Sequence, residues 1–217
     1  MENIILDSVR LIATDDASSK IVERLRSEGI YGQEDNQWQL MNIVLVSSAE
    51  GVVNIPNVLS RNTPAKRNII IKTNQSLEID DNLDYYSILS FFNDADVYQE
   101  ITALLCFIRT NVKMNGVMGI DENDFFGVIK GRNMISTHSY SFNTHVDEAI
   151  DKIKKIKLQD NGKYLLLFTY EHNNEETALD IVPVKNYLET FPENATVYWN
   201  IQESSANQVT LFTSISI

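Results

Sequence analysis

Residues 97–112 read VYQEITALLCFIRTNV, and this stretch decides the fold because its apolar residues recur at helical spacing. The residues that share one face are Val97, Ile101, Leu104, Leu105, Ile108 and Val112. Such a stripe predicts an amphipathic helix of about four turns that buries one face. Residues 93–96 (NDAD) precede it and offer capping side chains. We therefore predict a central helix that leads into an acidic loop, together spanning residues 97–120.

Downstream of this helix the elements alternate in type. A short helix is predicted from Asp121 to about Lys130, then strand Met134–Phe142, a helix from Thr144, strand Lys163–Tyr170, helix Ile181–Phe191, and strands Thr196–Gln202 and Gln208–Ser216. The last two strands are five residues apart, which predicts an antiparallel pair joined through Glu203 to Asn207. Residues 121–217 are thus expected to form a C-terminal domain, a mixed sheet flanked by helices.

The region before the central helix is predicted to be a small α/β portion, residues 1–96. Its predicted strands are Asn3–Thr14, Trp38–Val46 and Asn68–Lys72. Between the first two, a short helix with capping residues at 16–19 is outlined by Ile21 and Leu25 and stopped by Gly29, and a second helix is predicted at Leu83–Phe92. The stretch Ala49–Arg67 contains Gly51, Pro56 and Pro64, so it is predicted to be a loop. The whole chain is therefore predicted to be an α/β protein.

Composition limits the classes of partner. The 217 residues carry 30 acidic and 18 basic side chains, a formal net charge of −12. Such a surface repels phosphate backbones, so no nucleic-acid partner is expected. No apolar run approaches the ~20 residues that cross a bilayer, and the first residues lack the pattern of a signal peptide, so we predict a cytoplasmic protein without membrane insertion. The single cysteine, Cys106, lies in an apolar setting and is predicted to be buried.

Motifs for nucleotide, metal and hydrolytic chemistry are missing from the sequence. Its 8 glycines form neither GxGxxG nor GxxxxGK[ST]. At the first strand–helix junction, Asp15 and Asp16 would repel a pyrophosphate. The three histidines, His138, His145 and His172, lack metal-ligand spacing. His138 has no nucleophile partner nearby, so a structural role is expected for it, and His172 is expected to lie in a solvated turn. We predict no cofactor, no metal and no catalysis by the isolated chain.

One acidic cluster, Asp121-Glu122-Asn123-Asp124, follows a loop containing Gly116 and Gly119. In one interpretation Asp121 caps the following helix and Asp124 complements its dipole. In the other, the two carboxylates polarise a water molecule or hold a cation, as sites of phosphoryl transfer require. The residues alone leave both interpretations open.

The chain from Asn68 onward resembles the bacterial tubulin homologue FtsZ in the order and wording of its segments. NIIIKTNQSL (68–77) is similar to the family strand that ends in I-P-N-D-x-L. NGVMGIDENDF (115–125) resembles the catalytic loop P-G-L-x-N-V-D-F-A-D, with Asp121 and Asp124 at its acidic positions. ENATVYWNI (193–201) resembles D-N-A-T-V-V-x-G. The resemblance implies a reduced FtsZ/tubulin-like architecture over about two thirds of the chain.

Departures from the family pattern determine what the resemblance implies for function. FtsZ binds GTP through glycine-rich loops, including G-G-G-T-G-T-G, and this chain has no counterpart. The family asparagine that contacts guanine is replaced by Ala95 or Asp96. Asn74 and Asp96 are the positions where a vestigial nucleotide contact would survive. In FtsZ filaments the acidic loop completes the nucleotide site of the neighbouring subunit, so a chain that keeps only this loop is expected to offer one longitudinal face to a partner.

Three functions follow as hypotheses. The first is a non-enzymatic interaction or structural protein that associates with a tubulin-like filament protein, or with itself, and modulates or caps a filament in bacterial cell division or DNA segregation. The second is a divergent filament-forming protein that binds GTP and Mg²⁺ through unrecognised residues. The third is a regulatory module for a small molecule, because helix-flanked sheets host many unrelated ligands.

Overall fold

The computed structural model describes residues 9–32, 39–62, 64–83, 85–93, 95–112, 120–171 and 181–217. Its strands are β1 Val9–Ala13, β2 Gln39–Val46, β3 Ala65–Lys72, β4 Ser87–Phe91, β5 Gly131–Ser141, β6 Lys163–Glu171, β7 Thr196–Ser204 and β8 Gln208–Ser216. Its helices are α1 Asp16–Ser27, α2 Ala49–Arg61, α3 Val97–Asn111, α4 Glu122–Ile129, α5 Asp147–Ile153 and α6 Ile181–Leu188. The predicted α/β class is confirmed, and the central helix is α3.

All eight strands form one sheet in the order β1-β2-β3-β4-β5-β8-β6-β7. Strands β1 to β5 are parallel to one another, β8 is antiparallel to both β5 and β6, and β7 is parallel to β6. Seven strands therefore point the same way, and only β8 is reversed. As a result, the carboxyl ends of β1 to β7 lie along one edge of the sheet, called here the carboxyl edge, and their starts lie along the amino edge.

The sheet is covered on both faces. Alternate residues of the strands pack against α1, α3 and α4 on one face, where the rings of Phe107, Phe125 and Phe212 contact one another. The opposite face is covered by α2 beside β1 to β4 and by α5 and α6 beside β5 to β8. Strands buried on both faces must be apolar throughout, which is why β2 and β6 carry nearly continuous hydrophobic runs.

The predicted loop Ala49–Arg67 is wrong, because residues 49–61 form α2 and residue 65 begins β3. Ser48 caps the helix by accepting a hydrogen bond from the Gly51 N–H (3.1 Å). Ile55 is fully buried against the sheet, while Pro56 lies on the exposed side. A proline inside a helix costs one backbone hydrogen bond. Burial of the apolar face against β2 outweighs that cost here.

The predicted helix Leu83–Phe92 is also wrong, because residues 87–91 form strand β4. Every residue of β4 is buried, and the strand pairs with β3 on one side and β5 on the other. A short apolar run that is buried on all sides has the same sequence signature in a strand and in a helix. Its central position in the sheet decides the structure.

The predicted pairing of the last two strands is wrong as well. Strand β6 lies between β7 and β8, and it forms hydrogen-bonded ladders with both. Strand β8 is buried along most of its length, so it takes a central position, whereas β7 is largely exposed and lies at the edge. Burial therefore overrides the short connection, which by itself favours a hairpin.

Cys106 is exposed, contrary to the prediction. Its neighbours Leu105 and Phe107 are buried on the sheet side of α3, and the helical repeat turns residue 106 away from the sheet. The predicted loop with Gly116 and Gly119, the start of the first predicted strand, and His172 lie outside the described residues. The division into residues 1–96, 97–120 and 121–217 stays a prediction. Among the described helices, none is long and apolar enough to cross a membrane.

Candidate functional site

The turns after β1 to β4 lie together at the carboxyl edge of the sheet. In parallel α/β sheets this is where ligands bind, because helix N-termini and loop amides converge beyond the strand ends. α1 begins three residues after β1, α2 begins three residues after β2, and α3 begins six residues after β4. This edge is therefore the position at which a nucleotide site would be expected.

The carboxylate of Asp15 fills the space between the first two of these helix starts. Its Oδ1 accepts a hydrogen bond from the Ser18 N–H (2.8 Å) and so caps α1. Its Oδ2 accepts hydrogen bonds from the Ser47 N–H (2.9 Å), the Ser48 N–H (3.0 Å) and the Ser48 hydroxyl (3.0 Å). One side-chain anion thus satisfies donors from the first turn of α1 and from the segment between β2 and α2. We call this set of four donors the cradle.

Gly51 allows the cradle to close. A Cβ atom at residue 51 would overlap Asp15 Oδ2 and would lie 2.6 Å from Thr14 Oγ1. Only a glycine lets the first turn of α2 approach the carboxylate so closely. The hydroxyl of Thr14 in turn donates to the Leu45 carbonyl (3.0 Å), which ties the end of β1 to β2. The backbone is therefore built around the Asp15 carboxylate.

Electrostatics at the cradle favour the ionised carboxylate and disfavour further anions. Burial raises the pKa of Asp15, but the hydrogen bonds from Ser18, Ser47 and Ser48 outweigh it, so the pKa lies below the ordinary value for aspartate. The adjoining cleft has a volume of about 380 Å³ and is lined by Thr14, Asp15, Asp16, Ala17, Ser48 and Glu50. Three carboxylates on one cleft oppose the approach of a triphosphate.

Asn74 and Asp96 also lie at the carboxyl edge, and each is engaged in its own turn. Asn74 Oδ1 accepts hydrogen bonds from the N–H (3.0 Å) and the hydroxyl (2.7 Å) of Ser76. Asp96 accepts one from the Gln99 N–H (3.1 Å) and caps α3. Their use as nucleotide contacts stays a prediction. Lys72, the last residue of β3, donates to backbone carbonyls of residues 75 and 77, and burial lowers its pKa.

The acidic pair Asp121 and Asp124 lies at the other end of the sheet. Asp121 Oδ1 accepts hydrogen bonds from the N–H groups of Asn123 (2.7 Å) and Asp124 (2.9 Å), and Asp124 Oδ2 accepts one from the Asp121 N–H (3.2 Å). This is a reciprocal capping box at the start of α4. Glu122 binds Lys66 near the start of β3 (2.7 Å), which places the pair at the amino edge.

The structure thus places the sequence-predicted residues in two groups at opposite edges. The eight residues of β3, at ~3.3 Å each, separate those edges by roughly 25 Å. Asp121 and Asp124 are both partly buried, so each combines its capping role with a surface position. The role of Asp15 was not predicted, since its charge was considered only as repulsion. Its spacing to Ser18, typical of an N-cap, was the available signal.

The two histidines in the described part of the chain lie in different segments. His138 is partly buried in β5, where burial lowers its pKa and favours the neutral ring. His145 is exposed just before α5. Across residues 9–171 and 181–217, apart from the gaps given above, no three His, Cys, Asp or Glu side chains are grouped so that they could hold a metal ion.

One solved structure, of a CetZ protein, shows the fold. CetZ from Methanosaeta thermophila superposes with a TM-score of 0.54 at 12% sequence identity, over 93% of this chain and 66% of that chain. CetZ1 from Haloferax volcanii as a GDP-bound monomer gives 0.46 at 11% identity, over 93% and 69%. TubZ from Bacillus thuringiensis in a GTPγS-form protofilament gives 0.46 at 8% identity, over 99% and 70%. No protein-family model and no curated protein matches the sequence.

The predicted FtsZ/tubulin-like fold is therefore confirmed, with the similarity to CetZ at the level of fold. This chain spans about two thirds of the length of the CetZ chain that it matches, 66%.

Proposed function

We propose that this chain is a tubulin-like protein that acts by binding another protein subunit, and that it neither binds nor hydrolyses GTP. Its partner is a filament-forming tubulin-like protein or a second copy of itself, and its effect is to cap or modulate a filament of the kind used in cell division or DNA segregation. The FtsZ resemblance of residues 68–217 and the CetZ-like fold support the class of partner. The Asp15 cradle supports the lack of nucleotide binding.

The Asp15 carboxylate is the single observation that carries the proposal. Helix N-termini and loop amides at the carboxyl edge are the groups that hold phosphates in nucleotide-binding α/β proteins. Here the donors from Ser18, Ser47 and Ser48 already bind an internal anion. A phosphate would have to displace that carboxylate and remain beside Asp16 and Glu50, which line the same cleft. Both requirements oppose GTP binding.

The position of the acidic pair supports a one-sided contact. The FtsZ resemblance implies that the loop with Asp121 and Asp124 faces the nucleotide end of a neighbouring subunit. In this chain Asp121 and Asp124 lie at the amino edge, while the blocked cradle lies at the carboxyl edge. A subunit that docks through its amino edge and offers no nucleotide at the other end would stop filament growth. Capping follows from this asymmetry.

The first test measures nucleotide binding and turnover by the purified chain. With GTP and Mg²⁺ in excess, the melting temperature is expected to stay unchanged, because a ligand stabilises a protein only by binding its folded state. Phosphate release is expected to equal the buffer blank. Stabilisation by GTP and Mg²⁺, or clear turnover, would instead support the divergent GTP-binding protein and would end the proposal.

The second test measures the interaction, with the tubulin-like filament protein of the same genome as the partner. Asp121→Asn with Asp124→Asn removes two charges but keeps side chains that cap helices well. This double variant is expected to lose the effect on filament length in light scattering and electron microscopy, and Glu23→Gln, an exposed change on α1, is expected to keep it. If the double variant acts like the wild type, the amino edge is not the contact. Sedimentation of the chain alone reports self-association.

A further inference from the structure

Strand β7 is the outermost strand of the sheet beyond β6, and its outer side is open. Among the described residues, no strand pairs with that side. The Thr196 N–H donates to the Gly162 carbonyl (2.9 Å) just before β6, and the parallel ladder then continues to the ends of both strands. Alternate residues of a parallel strand bond to the same neighbour, so the backbone groups of Val197, Trp199 and Ile201 face outward. These are the groups that a further strand would bind.

β7 lacks the features that protect outer strands from pairing with another chain. Natural sheets protect such strands by making them short or by adding lysine, proline or a bulge. β7 is nine residues long, contains neither lysine nor proline, and matches β6 residue for residue without a bulge. Its sole charged residue is Glu203, in a chain whose net charge is −12. An open strand of this kind indicates that another strand covers it.

Two neighbouring aromatic side chains on β7 are exposed to solvent. Trp199 is 48% exposed and Tyr198 is 37% exposed, and consecutive residues of a strand lie on opposite faces. Trp199 shares its face with Val197 and Ile201, which pack against the buried cluster beside α5 and α6. Exposed aromatic side chains are enriched in protein interfaces, where they supply much of the binding energy. The strand therefore presents an apolar stripe together with its outward-facing backbone groups.

We propose that β7 pairs with the β7 strand of a second copy of this chain, in an antiparallel register centred on Trp199. Trp199 then lies opposite the partner's Trp199, and Val197 lies opposite the partner's Ile201. Hydrogen-bonded pairs in an antiparallel ladder need outward-facing groups on both strands, and residues 197, 199 and 201 supply them on each copy. Apolar side chains thus meet apolar side chains along one face, which stabilises the pair of strands.

The distribution of charge favours a second copy as the occupant. Two chains of net charge −12 repel each other over most of their surfaces, so they can meet only where charge is absent. Residues 196–202 carry no charge, and Glu203 falls opposite residue 195, before the partner's β7 begins. A register centred on residue 200, 201 or 202 would place Glu203 opposite Val197, Trp199 or Ile201 instead. The register centred on Trp199 is therefore self-complementary.

The dimer has a defined geometry and a limited size. Because the two β7 strands are antiparallel, the two copies point their amino edges in opposite directions. At ~200 Å² for each aromatic side chain, Trp199 and Tyr198 of the two copies expose roughly 350 Å² to the contact. Interfaces below about 1,200 Å² are typical of transient association, so we expect a Kd of about 10–100 μM. The contact is separate from the amino edge and does not depend on the function proposed above.

Sedimentation of the full chain up to about 300 μM measures this dimer. Salt is expected to strengthen it, because it screens the repulsion between two acidic chains. Hydrogen exchange followed by NMR reports the register. The amides of Val197, Trp199 and Ile201 are expected to exchange more slowly as the protein concentration rises, whereas those of Tyr198 and Asn200, which face β6, are expected to stay unchanged. A chain that remains monomeric, or a dimer that leaves the first three amides unprotected, overturns the proposal.

Charge substitutions at the centre of the register separate the contact from a folding defect. Trp199→Glu and Trp199→Lys each place like charges opposite one another, so each is expected to weaken the dimer at least about thirtyfold. A 1:1 mixture of the two variants places opposite charges there and is expected to associate at least about fivefold more tightly than either alone. Val53→Glu, the control at a 77% exposed position of α2, is expected to dimerise like the wild type. An undiminished dimer in Trp199→Glu, an equal loss in Val53→Glu, or a mixture no tighter than its components overturns the proposal.

Discussion

Replacing Asp15 removes the acceptor of four hydrogen bonds at the junction of β1, α1, β2 and α2. Loss of an N-cap costs about 1 kcal/mol. Each of the three partly buried donors of Ser47 and Ser48 loses its acceptor, which costs about 0.5–1 kcal/mol of stability. Asp15→Ala is therefore expected to lower the free energy of unfolding by about 3 kcal/mol. In a domain of this size that lowers the melting temperature by roughly 6–12 °C.

Asp15→Asn separates helix capping from anion binding. An asparagine oxygen can still accept from the Ser18 N–H, but its NH₂ group then faces the three donors of Ser47 and Ser48. We expect the free energy of unfolding of this variant to be about 2 kcal/mol lower than that of the wild type. Asp16→Asn, which removes the same charge from the neighbouring residue, is expected to change stability by less than about 1 kcal/mol. Urea unfolding of the three variants at pH 7 measures these differences.

The pH dependence follows from the lowered pKa of Asp15. A carboxyl group whose pKa is lower in the folded than in the unfolded state contributes stability above its unfolded pKa, near 4. That contribution is lost as pH falls through the folded value. The stability difference between the wild type and Asp15→Asn is therefore expected to be largest above about pH 5 and to shrink below pH 4.

The emptied cradle of Asp15→Ala is expected to accept a small anion. At a sulfate concentration ten times the Kd, binding would restore about 1.4 kcal/mol. Sulfate also stabilises proteins in general, so the quantity to compare is the extra stabilisation of the variant over the wild type. The reasoning is refuted if Asp15→Asn is no less stable than Asp16→Asn, or if sulfate stabilises Asp15→Ala and the wild type equally.

Three further predictions concern other positions. Gly51→Ala is expected to lower the free energy of unfolding by about 1–3 kcal/mol, because the new methyl group overlaps the Asp15 carboxylate, and by less when Asp15 is also replaced by alanine. A double-mutant cycle measured by urea unfolding checks this, and a Gly51→Ala variant more stable than the wild type would contradict it. Cys106 is exposed and is expected to react with a thiol reagent in the native state at full stoichiometry, whereas labelling that needs denaturant would contradict its position. Gly131→Ala is expected to lower the free energy of unfolding by about 1 kcal/mol or more, because the φ angle of Gly131 is +88°. Gly127→Ala in helix α4 is expected to raise the free energy of unfolding by up to about 1 kcal/mol. Melting temperatures of both variants above, or both below, that of the wild type would contradict this.

Elements with strong hydrophobic patterns were predictable from sequence. The central helix α3 shows why, since its apolar stripe over fifteen residues has no competing interpretation. Strands β2 and β6 were found because long runs of β-branched and aliphatic residues suit a doubly covered sheet. In each case local sequence and tertiary position agree.

Errors arose where tertiary packing decides between local alternatives. Pro56 and Gly51 indicated a loop, yet Ile55 buried against the sheet holds α2 together. The five residues of β4 carry too little pattern to tell a strand from a helix. The order β8-β6-β7 depends on which strand tolerates exposure, and the connection length does not encode that.

One helix cap at the candidate site was predictable from the sequence, and the cradle was not. Capping by Asp121 is one of the two interpretations that the sequence allows, and the structure shows that cap. The cradle could not be predicted, because Ser47 and Ser48 reach Asp15 across 32 and 33 residues of sequence. Only the parallel pairing of β1 with β2 brings these groups together.

A crystal structure grown with GTPγS and Mg²⁺ tests the account most directly. We expect the Asp15 carboxylate to remain within hydrogen-bond distance of the Ser47 and Ser48 amides, with no nucleotide at the carboxyl edge. Phosphate oxygens bound to those amides, with the Asp15 side chain displaced, would contradict the account.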